Sequence, residues 1–147
     1  RVITYKKGSV LEPEEEQWLL FHCVNNAGGW GAGFSGVLSK KYPQAEWVYR
    51  VVGFELGQAK FTPVGNKFIT YACAQVGYKS QSNPVPLDYK ALAACLEQAF
   101  SVCKRQGLTF IGPKFGAGLA GGDWKKIEKL LEEESKAFGV EVVIYEL

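Results

Sequence analysis

The chain has 147 residues, is 47% hydrophobic and carries a net charge of +2, enough to bury the core of one domain spanning 1–147 and too little basic excess to point to a nucleic-acid surface. No stretch approaches the roughly 18 unbroken apolar residues of a membrane helix and no basic-then-apolar leader opens the chain, so a cytoplasmic protein without membrane contact is expected. Cys23, Cys73, Cys95 and Cys103 stand at wide spacings with no CxxC pair beside the single His22, which argues against a zinc site, so no metal and no cofactor are expected. Three of the cysteines sit in apolar patterns and read as reduced, buried small hydrophobes. Methionine is absent, so the natural start is missing or processed.

Val2 to Tyr5 reads as a short strand stopped near Gly8-Ser9. Trp18 to Val24 is a continuous apolar run ended by Asn25-Asn26, as in a buried central strand. Phe34 to Lys41 reads as a helix closed before Pro43. Gln44 to Leu56 is ambiguous: Trp47, Val48, Val51 and Val52 fit one face of a helix, whereas Trp47, Tyr49 and Val51 fit strand alternation. Ala59 to Val64 and Lys67 to Gln75 flank Gly65-Asn66 as the arms of a hairpin, and Ser80 to Pro86 is a polar loop. Asp88 opens the clearest helix, with Tyr89, Leu92, Ala93, Leu96, Phe100 and Cys103 on a 3.6-residue stripe and a stop at Gly107. Thr109 to Gly112 is a strand. Asp123 to Phe138 is a helix with Trp124, Ile127, Leu130, Leu131 and Phe138 inward, ended by Gly139, and Glu141 to Tyr145 closes the chain as a strand. This alternation predicts a three-layer α/β domain with a mixed sheet.

Two glycine-rich loops stand between a strand and a helix: Asn25 to Gly33 and Phe115 to Gly122. Such a turn points free backbone N–H groups into one concavity beside a positive helix end, a seat for phosphate, and two facing seats suit a diphosphate. Gly31 to Gly36 also satisfies the dinucleotide GxGxxG pattern, with Glu55 near the distance of its ribose-binding acid. On that pattern alone an NAD-dependent oxidoreductase is a further alternative, and a bare tight turn fits the first loop equally well. The four glycines of the second loop are denser than one helix cap requires. Asp123 at the helix entry reads first as an N-cap.

With both loops in view the chain resembles a macrodomain end to end, in the branch of terminal ADP-ribose protein glycohydrolases, yeast ADP-ribose-1″-phosphate phosphatase and bacterial and phage relatives. The residues that carry the resemblance are Gly112 to Trp124, His22 to Asn26 with Trp30 to Phe34, and the closing strand Val140 to Leu147. It implies a three-layer α/β/α macrodomain with a mixed central sheet. It also implies a ligand, ADP-ribose or a derivative, or an ADP-ribosylated macromolecule. The ligand positions would be Ser9 and Val10, then Asn25, Asn26, Gly29, Trp30, Gly31, Ala32, Gly33 and Phe34, then Gln75, and finally Phe115, Gly116, Ala117, Gly118, Leu119, Ala120 and Gly121.

The resemblance departs at three places. The adenine-contacting Gly-Asp reads Gly8-Ser9, so a hydroxyl replaces a carboxylate and accepts without charge assistance, or Glu12 substitutes. The branch's catalytic lysine and aspartate fall on Gln75 and Ala120, so a lysine-adduct route is not expected. Hydrolysis of a 1″-linked phosphate, acyl or ester group would then rest on Asn25 orienting a water, with Asp123 or His22 as base. His22 on an apolar strand also fits a plain core histidine. The alternative is a non-catalytic ADP-ribose reader.

Overall fold

The computed structural model describes residues 3–31 and 33–147. Val2 of the expected first strand and Ala32 of the expected ligand loop lie outside them. The elements are β1 (Ile3–Lys7), β2 (Trp18–Asn25), α1 (Phe34–Lys41), α2 (Gln44–Val52), β3 (Ala59–Val64), β4 (Lys67–Gln75), α3 (Tyr89–Gln106), β5 (Thr109–Gly112), α4 (Trp124–Phe138) and β6 (Val142–Glu146). The strands form a six-stranded sheet in the order β1-β6-β5-β2-β4-β3. All neighbours are parallel except β3 and β4, whose hairpin turns at Gly65-Asn66.

Side-chain alternation along β2 explains the layers. Leu19 and Phe21 face α3 and α4, packing with Leu92, Leu96, Phe100, Phe110 and Ile127. Trp18, Leu20 and Val24 face α1 and α2, packing with Leu38, Ala45, Tyr49 and Tyr71. A strand covered on both faces must be apolar at every position, which is why β2 reads as an unbroken run. The result is the expected α/β/α sandwich with a mixed sheet.

The ambiguous stretch is a helix as far as Val52, but neither candidate face is the buried one. Ala45 and Tyr49, four residues apart, point inward, while Trp47 is 67% exposed and Val51 60%. In α3 the stripe is completed by Ala91, Cys95 and Ala99, and Ala93 is only half-buried. β3 runs antiparallel behind two helices, and Glu55 sits in the loop before it rather than at the end of a parallel strand. A Rossmann half requires a parallel βαβ unit there, so the GxGxxG match does not mark a dinucleotide fold.

Burial pushes the Cys73 thiol up to about 11 and those of Cys95 and Cys103 to about 12, leaving them inert hydrophobes; Cys23 is half-buried. No helix of the described residues is long and apolar enough to cross a membrane.

Helix α3 starts at a built cap: Asp88 Oδ1 accepts from Ala91 N at 3.0 Å, and the Asp88 N–H donates to Ala74 O at 2.7 Å. Replacing Asp88 with Ala removes the side-chain half of that cap. Urea denaturation should show a loss of about 1 kcal/mol, with Asp88→Asn near wild type.

Candidate functional site

Strands β2 and β5 are adjacent and parallel, but their chains leave in opposite directions. After β2 the chain passes through α1 and α2 on one face towards β3 and β4; after β5 it passes through α4 on the other face to β6. That divergence opens a crevice at the carboxyl ends of the strands, where ligands of open α/β sheets bind. Both glycine-rich loops start there. They meet at its mouth, where a Cβ on Gly33 would stand 3.2 Å from Leu119 Cδ1.

One carboxamide shapes the first loop. Asn25 Oδ1 accepts from Ala27 N and from Gly29 N, both at 3.0 Å, which fixes the orientation of the amide. The Tyr49 hydroxyl donates to Asn25 O at 2.9 Å and lies 3.1 Å from Oδ1. Burial pushes that phenol up to about 12, so it stays a donor. Asn25 Nδ2 makes no hydrogen bond among the described residues and is the donor left over. Asn26 is a strut: its N–H donates to Gln75 O and its Oδ1 accepts from Gly77 N at 3.0 Å. Gly31 N donates to Ser35 Oγ at 2.9 Å. The turn is tight enough that a Cβ on Gly36 would sit 2.5 Å from Gly31 O.

The second loop closes on itself and leaves its tip unpaired. Gly122 N donates to Gly116 O at 2.8 Å, Gly121 N to Gly118 O at 3.0 Å, and Leu87 N to Ala120 O at 3.1 Å. The N–H groups of Gly116, Ala117, Gly118, Leu119 and Ala120 have no acceptor among the described residues. Successive unpaired N–H groups ahead of the α4 N-terminus form an anion nest. Gly121 is required by its φ of 71° and by Pro84 O, 2.8 Å from where a Cβ would be. On the far side of the first loop lies a pocket of about 450 Å³ between Asn25–Gly28 and the end of α2, walled by Tyr49, Arg50, Gly53 and Phe54.

No protein-family model matches the chain. Among solved structures it resembles a Bacteroides thetaiotaomicron protein of unknown function, with a TM-score of 0.91 and 32% identity over 99% of this chain and 98% of that one. It also resembles a macrodomain protein from Streptomyces coelicolor, with a TM-score of 0.83 and 27% identity over 99% of both chains. The chain has the macrodomain fold. Yeast ADP-ribose 1″-phosphate phosphatase is 29% identical over 90% of this chain and 93% of its own length. Human ADP-ribose glycohydrolase OARD1 is 25% identical over 99% and 91%. Mouse chromodomain-helicase-DNA-binding protein 1-like matches 97% of this chain at 24% identity, but over only 17% of its own length.

The fold distributes the sequence-derived candidates unevenly. Ser9, on the loop after β1, lies at the same sheet edge; its Oγ accepts from Leu11 N at 3.1 Å and keeps a second lone pair. Glu12 is committed to Lys41, 2.8 Å away. Gln75 ends β4 beside Asn25. Val10, Phe115 and Ala120 have buried side chains, so only their backbones can face a ligand; the Phe115 ring packs on Phe21 and Trp124. Trp30 and Phe34 are half-buried and box in His22 rather than lining an open surface. Asp123 is exposed and caps α4, its Oδ1 accepting from Lys125 N at 3.0 Å, while its N–H meets the Tyr89 hydroxyl at 2.7 Å.

His22 sits as a core histidine. It is 2% exposed, enclosed by Trp30, Phe34 and Tyr71 at centroid distances of 5.2–5.9 Å, and neither ring nitrogen has a partner among the described residues. It faces the α1–α2 side beneath Trp30 and Phe34, whereas Asp123 starts α4 on the opposite face of the sheet, so His22 and Asp123 do not work as a pair. Tyr49, Arg50 and Phe54 were not singled out from sequence as site residues; Tyr49 and Arg50 belong to a helix whose register the sequence left open, and Phe54 to the loop that follows it.

Burial holds His22 neutral, its pKa down from 6.5 to about 4. Between those values the unfolded chain binds a proton that the folded one refuses, so stability is complete above about pH 6.5 and falls as pH drops towards 4, by roughly 3 kcal/mol. In urea titrations across that window, His22→Phe should remove this slope while retaining the aromatic packing.

Proposed function

We propose that this macrodomain binds ADP-ribose and hydrolyses a 1″-linked group from ADP-ribose derivatives, acting as a single module over residues 1–147. The observation that carries the reading is the convergence of two glycine-rich loops at the β2/β5 crevice, the second with the N–H groups of Gly116 to Ala120 free of acceptors among the described residues. The diphosphate would lie between Gly33 and the Gly116–Ala120 nest, the adenine towards Ser9 and the distal ribose towards Asn25 and Gln75. Micromolar affinity corresponds to about −8 kcal/mol. Charge-assisted bonds from the nest, each worth roughly 1.5–3 kcal/mol, reach that level with adenine burial after association costs. The ligand is a free derivative or an ADP-ribosylated macromolecule, and the four free cysteines fit a reducing, cytoplasmic setting.

For a 1″-phosphate the reaction is simple to balance. Water adds to phosphorus, the bond from phosphorus to the C1″ oxygen breaks, and that oxygen takes a proton, leaving ADP-ribose and phosphate. Asn25 Nδ2 would hold the water or a phosphoryl oxygen, and the exposed Asp123, at the end of the second loop, is the remaining candidate base. One observation favours the reader alternative: Gln75 and the buried Ala120 supply neither acid nor base.

Two substitutions separate these readings without dismantling the loops. Asn25→Asp keeps the Oδ1 acceptor but replaces the free donor with an oxygen, and Asp123→Asn keeps the cap. Phosphate release from ADP-ribose-1″-phosphate should fall about 100-fold in each, with ADP-ribose still bound by calorimetry. Unchanged turnover in both would remove the assigned roles, and tight ADP-ribose binding with no turnover in wild type would make the chain a reader.

A further inference from the structure

The pocket beyond the first loop lies outside the diphosphate seat, yet the sheet order places it in line with the proposed ligand. Reading along the carboxyl edge, Ser9 follows β1, the nest follows β5, Asn25 ends β2 and Gln75 ends β4. From β1 to β4 is four strand spacings, about 19 Å. The pocket continues that line towards β3, with Phe54 in the loop that leads into β3 and Asn25–Gly28 shared with the ribose end. We propose that this pocket receives the group carried on the distal ribose, and that Arg50 makes it select an anionic phosphate over a neutral ester. The proposal rests on the ADP-ribose reading above.

The chemistry of the wall supports an oxyanion. Arg50 Nε donates to Glu46 Oε2 at 2.7 Å, which orients the guanidinium. Its two η nitrogens have no acceptor among the described residues, and a two-pronged donor matches phosphate oxygens. Asn25 Nδ2, without a partner among the described residues, supplies a further donor from the opposite wall. The Tyr49 and Phe54 rings, stacked at 5.0 Å, form an apolar side that strengthens the charge–charge contact. Arg50 is itself half-exposed, so the selectivity is moderate and its removal leaves the fold intact.

The test is displacement of a fluorescent ADP-ribose analogue by ADP-ribose, ADP-ribose-1″-phosphate and a 1″-acetyl ester, read within seconds of mixing to precede turnover. Wild type should prefer the phosphate about tenfold over ADP-ribose and show no such gain for the ester. Arg50→Ala should abolish that preference while ADP-ribose affinity stays within twofold, and Arg50→Lys should keep about a third of it. Equal affinity for phosphate and ADP-ribose in wild type, or a preference that survives Arg50→Ala, overturns the subsite alone. Failure of ADP-ribose itself to bind overturns the parent reading and the subsite with it.

Discussion

Everything at the site depends on the divergence of two neighbouring strands. β2 and β5 share a parallel ladder, but one chain leaves through α1 and α2 and the other through α4, on opposite faces and in opposite directions. No backbone crosses the gap at their carboxyl ends. The two loops that begin there therefore approach each other across a cleft, and the proposed anion seat relies on no side-chain charge. It relies on the unpaired backbone N–H groups of Gly116 to Ala120 and the α4 N-terminus.

The two sides of the cleft are organised by different means. In the first loop a single carboxamide does most of the ordering: Asn25 Oδ1 gathers the N–H groups of Ala27 and Gly29 and meets the Tyr49 hydroxyl. Asn25 thus couples the ligand loop to α2, and hence to the pocket that carries Arg50. The second loop is ordered by close backbone packing. Gly121 fits against Pro84 O and Gly122 against Gly116 O and Leu87, so the nest is held in shape by the segment before α3. That difference predicts different tolerance: side-chain chemistry matters at Asn25, and size matters at Gly121 and Gly122.

The architecture was legible because the signals were local. Asp88 and Gly107 bracket α3, Gly65-Asn66 turns the hairpin, and the doubly covered β2 reads as an unbroken apolar run. What escaped depends on tertiary register. Nothing in the order of Gln44 to Val52 reveals that Ala45 and Tyr49 face inward while Trp47 and Val51 face solvent, because the exposed side is as apolar as the buried one. Without that register, Tyr49 and Arg50 cannot be placed beside Asn25. His22 illustrates the converse: its side chain invites a catalytic role, but strand alternation directs it beneath Trp30 and Phe34, where desolvation keeps it neutral. Asp123 was legible as a cap, since it directly precedes the helix, while the bond from its N–H to the Tyr89 hydroxyl came only from the tertiary fold.

The central claim is that the Gly116–Ala120 nest and the first loop together seat a diphosphate. The most direct measurement is an amide-resolved NMR titration with ADP-ribose. The account predicts large downfield shifts of the N–H resonances of Gly116 to Ala120 and of Gly33, as unpaired donors gain charged acceptors, with smaller shifts at Ser9 and Asn25. Saturable binding that leaves those resonances in place and moves others would contradict it, because the ligand would then sit away from the β2/β5 crevice.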